Sequence, residues 1–386
     1  MHARPPSRIV LPLCGLLVLL LAAWLVSAGW LHGWSSLGLP ALWPAFSDLR
    51  TVQGALISMA SGLDPYIDNP GDPWRRQLNY PAIWIWLAKT GGWQDESHFL
   101  VFCGLSLVAF LLACLALLRS APSWPLLLGC FSSAACLLVE RGNSDQLMFA
   151  LAVGLAATPV LWQVLLIALG TCLKVYPVFW SLLLLGPGAR WWHRLVLAVL
   201  LFTCLAYLFA DGEMARIRAA TPVDTAGHAY GLAIWRAHLS SYPLFSSRAS
   251  FLALCGGLLL AVAAVRHWLL PQVKCLLSHG KALHDRWFLL GASVYVGSFW
   301  VGANYDYRMV FLLMCMPACW SAGRLPQALV VLMLVSMNSF FLPWWLVAPA
   351  KGLVLVLLSA VLAERVRQDV ARWVSPKVYP PSPHAL

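Results

Sequence analysis

The chain has 386 residues, of which 61% are hydrophobic and only 11% charged, against roughly 25% charged in a soluble domain. Most of it therefore cannot face water, which excludes a soluble globular fold. The formal charge of +11 comes from Lys and Arg gathered in short loops between apolar runs, the positive-inside pattern. No basic surface alternates with stacking aromatics, so membrane lipids, and not nucleic acid, are the expected partners. Apolar runs of about 20 residues match a hydrocarbon core of about 30 Å, and weak period-2 alternation argues against an outer-membrane barrel. The expected class is an all-α, polytopic integral membrane protein of the cell (inner) membrane.

In chain order, Arg4 and Arg8 precede an apolar run from Ile9 to Leu31. That run exceeds a signal-peptide core of about 7–15 residues, so it reads as an uncleaved first span with a cytoplasmic N-terminus. A first external loop over 32–79 follows, and its stretch Ser47–Pro81 collects Asp48, Asp64, Asp68 and Asp72. Within it Leu49, Val52, Leu56, Ile57 and Ala60 fall on one helical face, with Arg50, Gln53 and Ser58 elsewhere on the wheel. This predicts an amphipathic helix lying on the membrane surface. Gly62 can end it as a left-handed C-terminal cap, and Asp64-Pro65 starts a turn. Tyr66 is an interface anchor or a sugar-stacking platform. Asn79-Tyr80-Pro81 reads as the start of a span, since Pro suits the first helical turn.

Further spans are expected at Tyr80–Thr90, His98–Leu118, Trp124–Val139, Leu147–Val160, Leu161–Leu185 and Leu195–Ala210. A second external loop covers 211–248. Phe251–Leu270, Trp287–Val301, Met309–Trp320, Leu325–Phe341 and Leu346–Ala363 complete the single transmembrane domain 1–363, and a basic tail (364–386) is cytoplasmic. Placing Arg190, Arg194, Arg266, Lys274, Lys281, Arg286, Arg324, Arg365, Arg367 and Arg372 inside requires about twelve crossings, counting the short Tyr80–Thr90. If that segment only dips into the membrane, sidedness inverts until another irregularity restores it. Arg119 is the awkward charge.

Several polar groups stand out on this apolar background. Asp48 has two readings: a general base at the membrane surface, or a carboxylate complementing the dipole of a helix capped by Ser47. The knot Glu140-Arg141-Gly142-Asn143-Ser144-Asp145 falls on the cytoplasmic side by this count. Lys174 lies about 13 residues from either end of its span, too deep to snorkel readily, and needs an anion: a lipid phosphate, or Asp145 or Glu140. The second loop carries Arg216, Arg218, His228, Arg236, His238 and Arg248. Asp306 and Arg308 are spaced to share a helix edge and pair with each other, or to hold a phosphate. The eleven cysteines show no disulfide or zinc spacing, and Cys275, His279 and His284 form no trustworthy ligand pattern. They read as small apolar packing residues. No Walker loop, dinucleotide fingerprint or HExxH is present, so an activated substrate must supply energy.

Ser47-Asp48-Leu49, Gly62-Leu63-Asp64-Pro65-Tyr66 and Tyr80-Pro81, in this order, resemble glycosyltransferase family 87, polytopic GT-C enzymes that use polyprenyl-phosphate sugars, often mannose. Arg141-Gly142-Asn143-Ser144-Asp145 resembles the family's Gly-x-x-Asn-type loop, and Leu173-Lys174-Val175-Tyr176-Pro177 its Lys-x-x-Pro helix. The likeness covers about Ile9–Arg194. Two features depart from it: Ala82 follows Pro81 where Tyr-Pro-Pro is usual, and only Ala226-Gly227-His228-Ala229-Tyr230 echoes a Gln-rich motif in the second loop.

The resemblance implies inverting transfer of a hexose from a polyprenyl-phosphate sugar to a lipid or glycan acceptor, with Asp48 as base. It implies substrate contacts at Arg50, Asp64, Tyr66, Tyr80, Asn143, Lys174, His228 and Arg308. No cofactor or metal is expected, the lipid-linked sugar being the co-substrate. The rival readings are a transporter or lipid flippase for an anionic cargo, and an O-antigen polymerase or ligase.

Overall fold

A computed structural model describes residues 7–186, 189–209, 212–221, 228–240, 242, 247–269, 271 and 281–374. The readings placed on Arg4, Asp211, Ala226, Gly227, Lys274, Cys275, His279 and the tail beyond 374 lie outside the described residues. The chain is almost wholly helical and folds into two compact units. Unit 1 comprises Met1–Gly154, Leu166–Val178 and Ala198–Pro222; unit 2 comprises Leu155–Leu165, Phe179–Leu197 and Val223–Leu386. Among the described residues six helices are long and apolar enough to cross a membrane: Ile9–Ala28, Glu96–Ser120, Trp124–Arg141, Trp191–Phe209, Arg248–Trp268 and Trp344–Arg372.

Unit 1 is built from α1 (Ser7–Ala28), α2 (Trp30–Ser36), α3 (Ser47–Ala60), α4 (Ile83–Thr90), α5 (Glu96–Ser120), α6 (Trp124–Cys130), α7 (Ser133–Arg141) and most of α8 (Asp145–Leu155). The ends of α9 (Val160–Leu173) and α10 (Trp191–Phe209), and α11 (Glu213–Ala220), complete it. Its centre is α3. Of the expected apolar face Leu49, Val52 and Leu56 are buried while Ile57 and Ala60 are exposed, and Ser47, Arg50, Thr51, Gln53, Gly54, Ala55 and Ser58 are buried as well. The helix is thus enclosed by the protein, and the expectation of a surface-lying helix is corrected. Its polar face is buried because each group has a partner. Arg50 makes a two-pronged contact with Glu96 at 2.6 and 3.1 Å, Gln53 donates to Glu96 and the Trp93 carbonyl, and Ser58 donates to Asn69.

The segment 61–80 folds back on α3. Gly62 (φ 78) ends the helix in the left-handed conformation, with the Leu63 N–H returning to the Ser58 carbonyl, the expected cap. Asp64 accepts from the Tyr66 N–H at 2.9 Å, the expected turn. Where the loop crosses α3, Gly54 meets the backbone of Gly71 and Asp72; a Cβ there would sit 2.6 Å from the Gly71 carbonyl carbon and closer still to the Asp72 nitrogen. Gly54→Ala must therefore push two backbones apart, an overpacking cost of about 1–3 kcal/mol. The expected result is a lower thermal midpoint in detergent, by several degrees; an unchanged midpoint would mean the crossing is looser than described.

Two expected spans are revised. Tyr80–Thr90 yields only the eight residues of α4, about 12 Å long, too short to cross. Leu161–Leu185 is two elements: α9 ends at Leu173, and a 3-10 helix begins at Tyr176 and runs to Leu185. Pro177 explains the break, because it lacks an N–H and disfavours helical geometry at Tyr176.

Unit 2 contains α12 (Leu232–Leu239), α13 (Arg248–Trp268), α14 (Ala282–Val301), a 3-10 segment (Asp306–Met314), α15 (Met316–Ser321), α16 (Arg324–Ser336) and α17 (Trp344–Val374). The two-residue strands β1 (Ala229–Tyr230) and β2 (Asn304–Tyr305) pair antiparallel, Ala229 opposite Tyr305. Asp306 and Lys351 form a buried ion pair with both Nζ–O distances 2.8 Å. The expected Asp306–Arg308 pair is therefore corrected: Arg308 donates to the Asn304 side-chain oxygen instead. Further along α17, Glu364 holds Arg266 and Arg367, and Asp369 holds Arg365 and Arg372. No side chain of α13 is buried, which leaves its apolar surface open to lipid.

Candidate functional site

The polar residues of unit 1 converge on one cluster. It begins at the N-terminus of α3, where Phe46 is left-handed (φ 63) and caps without a side chain. Ser47 is not the cap expected; its hydroxyl accepts from Arg141 Nη1 at 3.3 Å. Asp48, in the first turn, accepts from Asn143 Nδ2 at 2.6 Å through Oδ2, while Arg76 Nη1 stands 3.6 Å from Oδ1.

Arg76 is itself fixed. It donates to Asp72 through Nε (3.1 Å) and Nη2 (2.8 Å), and to the Ser47 carbonyl. Asp72 also accepts from the Trp74 and Arg76 N–H groups, so the loop and its guanidinium are built as one piece.

Asn143 links Asp48 to a second charge pair. Its Oδ1 accepts from the Asp145 N–H (2.9 Å) and from Lys174 Nζ (2.9 Å). Those two donors fix the amide orientation, so the NH2 must point to Asp48. The same NH2 lies 3.3 Å from the Tyr80 hydroxyl. Lys174 pairs with Asp145 at 2.5 Å, and Tyr176 donates to the same carboxylate oxygen at 2.7 Å. Lys174 Nζ also faces the Tyr80 ring, 5.5 Å from its centroid. Burial, together with the Asp48 and Asp145 charges, pushes the Tyr80 phenol well above its ordinary pKa, so it acts as a neutral hydroxyl.

Accessibility separates the carboxylates. Asp72, Glu140 and Asp145 have fully buried side chains, whereas that of Asp48 is 17% exposed. Asp48 is the one carboxylate of this cluster that an outside molecule can touch. Among the described residues no group of three or more His, Cys, Asp and Glu is placed to hold a metal ion.

A neighbouring group supports Tyr80. The Glu213 carboxylate accepts from the Ala82 N–H (2.5 Å) and shares the single Tyr66 hydroxyl proton (3.1 Å) with the Tyr80 carbonyl (2.9 Å). Burial and the Glu213 charge raise the Tyr66 pKa. Arg216 stacks over Tyr66 at 4.8 Å and approaches Asp64 at 3.6 Å.

Of the residues expected to contact substrate, Asp48, Tyr80, Asn143 and Lys174 meet in the cluster, and Asp64 and Tyr66 lie in the adjoining group. Arg50 does not join them; Glu96, Gln53 and the Ala45 carbonyl take its donors. His228 and Arg308 belong to unit 2, where His228 stacks on Phe340 at 3.9 Å.

Two expectations are corrected here. The Glu140–Asp145 knot is not remote from the first loop: Asn143 donates to Asp48. Lys174 is not stranded in mid-span. It sits at the break after α9, where Asp145, one of the three anions weighed for it, pairs with it. Sequence reasoning named Asp72 only as one of the loop's carboxylates and missed Arg76 and Glu213. The spacing of Asp72 and Arg76, four residues apart in the loop where the carboxylates collect, was the available signal.

Fold and cluster together define an all-α, membrane-embedded protein whose unit 1 holds a buried polar cluster in which Asp48 is the accessible carboxylate. No family model, no curated protein and no solved structure matches the chain. The likeness to glycosyltransferase family 87 therefore rests on the motif residues alone.

Proposed function

We propose that the chain is a GT-C-type membrane glycosyltransferase that moves a hexose from a polyprenyl-phosphate sugar to an acceptor hydroxyl on the external face. The observation that carries this reading is the convergence of its motifs: Asp48, Tyr80, Asn143 and Lys174, far apart in sequence, are joined by direct hydrogen bonds or ring contact. Asp48 takes the proton of the acceptor hydroxyl, whose oxygen attacks the anomeric carbon as the lipid phosphate departs from the opposite face. The transition state is oxocarbenium-like, and the product is inverted. A phosphate leaving group needs cations more than an acid. Arg76, beside Asp48 and with its side chain 29% exposed, is the cation proposed to meet that phosphate, while Lys174 reaches Asp48 through Asn143.

About twelve crossings still fit the charge pattern, because the break at Lys174 adds the pass that α4 loses. This count also moves Arg119 to the cytoplasmic side and the Glu140–Asp145 knot to the external side. Reporter fusions after Gly92 and Asn143 are expected to read external, and one after Arg119 cytoplasmic. A cytoplasmic signal at Gly92 would restore α4 as a span and overturn this count.

The reaction itself is tested with purified protein and a labelled polyprenyl-phosphate hexose. Transfer to an added acceptor supports the reading; binding without transfer removes it. In the same assay Arg76→Gln is expected to raise the donor KM about 10–100-fold, the loss of a charged hydrogen bond, and Arg76→Lys to recover little because the fork geometry is lost. A donor KM unchanged in both would take Arg76 out of the donor site.

One observation favours a second reading. Each unit has a buried Lys–Asp pair where a helical run gives way to a 3-10 segment, Lys174–Asp145 and Lys351–Asp306. Broken helices beside buried charge are a transporter feature. Donor lipid crossing a proteoliposome bilayer without chemical transfer would select transport.

A further inference from the structure

Cys172 and Cys204 are not accounted for by the cluster. Cys172 is in the last turn of α9, and Cys204 is in the last two turns of α10. Their Sγ atoms are 2.7 Å apart, where a disulfide bond measures about 2.04 Å. Cys204 is also held against α9 by a contact of its Sγ with the Ala168 carbonyl at 3.6 Å. Cys204 is buried and Cys172 partly exposed, so one sulfur can be reached first and the other is already beside it.

Their position in the fold sets the redox environment. Cys172 is two residues from Lys174, which pairs with Asp145 at the end of unit 1 that carries Asp48. The end of α10 leads into Glu213, which binds Tyr66 at that same end. We infer that Cys172 and Cys204 are a modification site, joined as a disulfide by a thiol-oxidising disulfide of the external compartment. The inference rests on the external placement of Asp48 proposed above, since disulfides persist in oxidising compartments and are rare in the cytosol.

The chemistry is thiol–disulfide exchange. The Cys172 thiolate attacks the oxidant's disulfide, forming a mixed disulfide and releasing one oxidant thiolate. The Cys204 thiolate then attacks the Cys172 sulfur and releases the second. Two electrons pass from the cysteines to the oxidant, and the two protons lost by the cysteines match the two gained by the released thiols. The chain leaves unit 1 after Val178 and returns at Ala198, so the bond fastens both ends of that excursion and holds the stem that carries Lys174.

The test reads the thiols directly. Cells are lysed in SDS with N-ethylmaleimide, the protein is then reduced and labelled with iodoacetamide, and both cysteines are followed by mass spectrometry. In parallel, purified protein is reduced and treated with oxidised glutathione before the same labelling. The expected result is the second label on Cys172 and Cys204 in both preparations, and the first label on Cys204 in Cys172→Ser. Wild-type Tm should also fall by several degrees on reduction, with no such fall in Cys172→Ser. A bond that forms with glutathione but is absent from cells overturns the inference through the external placement. Absence of a bond in both preparations overturns it through the geometry and leaves the reading of Asp48 standing.

Discussion

Asp48→Asn is expected to reduce hexose transfer about 10²–10⁴-fold, the contribution of a positioned general base, equal to about 3–5 kcal/mol of barrier. The substitution is nearly isosteric, and Asn143 can still donate to the new amide oxygen. Arg76 keeps its contacts with Asp72 and Ser47. Stability should therefore change little, and donor KM should stay within a few-fold, because the deficit lies in proton removal. Steady-state transfer and a thermal midpoint, measured on the same preparation, separate the two effects. Equal transfer by both proteins would end the case for Asp48 as base, whatever the assay shows of the reaction.

Lys351→Met is expected to have the largest effect on folding. It leaves the Asp306 carboxylate, fully buried and held by both Nζ hydrogen bonds, without its counter-charge. Breaking a buried pair from one side costs about 3–5 kcal/mol, enough to lower the detergent midpoint by about 10 °C in a unit of this size. Lys351→Met with Asp306→Asn removes both charges and should recover most of that loss. The three variants form a cycle. A single variant as stable as wild type, or a double variant no better than the worse single, would show that the pair does not act as described.

The membrane class, the helix at Ser47–Ala60 and the Gly62 cap were legible in the sequence, because each depends on local composition or spacing. What lay hidden depends on partners remote in the chain. Arg50, Gln53 and Ser58 looked like the water-facing side of a surface helix, yet each is buried against Glu96, Trp93 or Asn69. Hydropathy could not show the break at Lys174, since α9 and the 3-10 helix after it are equally apolar; only Pro177 marked it. On the topology proposed above, that break and the shortness of α4 offset one another in the count of crossings, so apart from Arg119 the charge pattern marks neither. The candidate base was readable from position. Its neighbour Arg76 was not, because the contact requires the loop to fold over Gly54.

Asn143 holds Asp48 with its NH2 and Lys174 with its oxygen. A side-chain amide oriented in this way passes no proton from one to the other, so the two charges communicate through attraction and alignment alone. When Asp48 becomes protonated its hydrogen bond from Asn143 changes from charged to neutral and weakens, and the amide is left more firmly with Lys174. Asp48 and Lys174 thus form one mechanical element with a shared hinge. Losses on substituting Asp48, Asn143 and Lys174 will overlap heavily instead of summing.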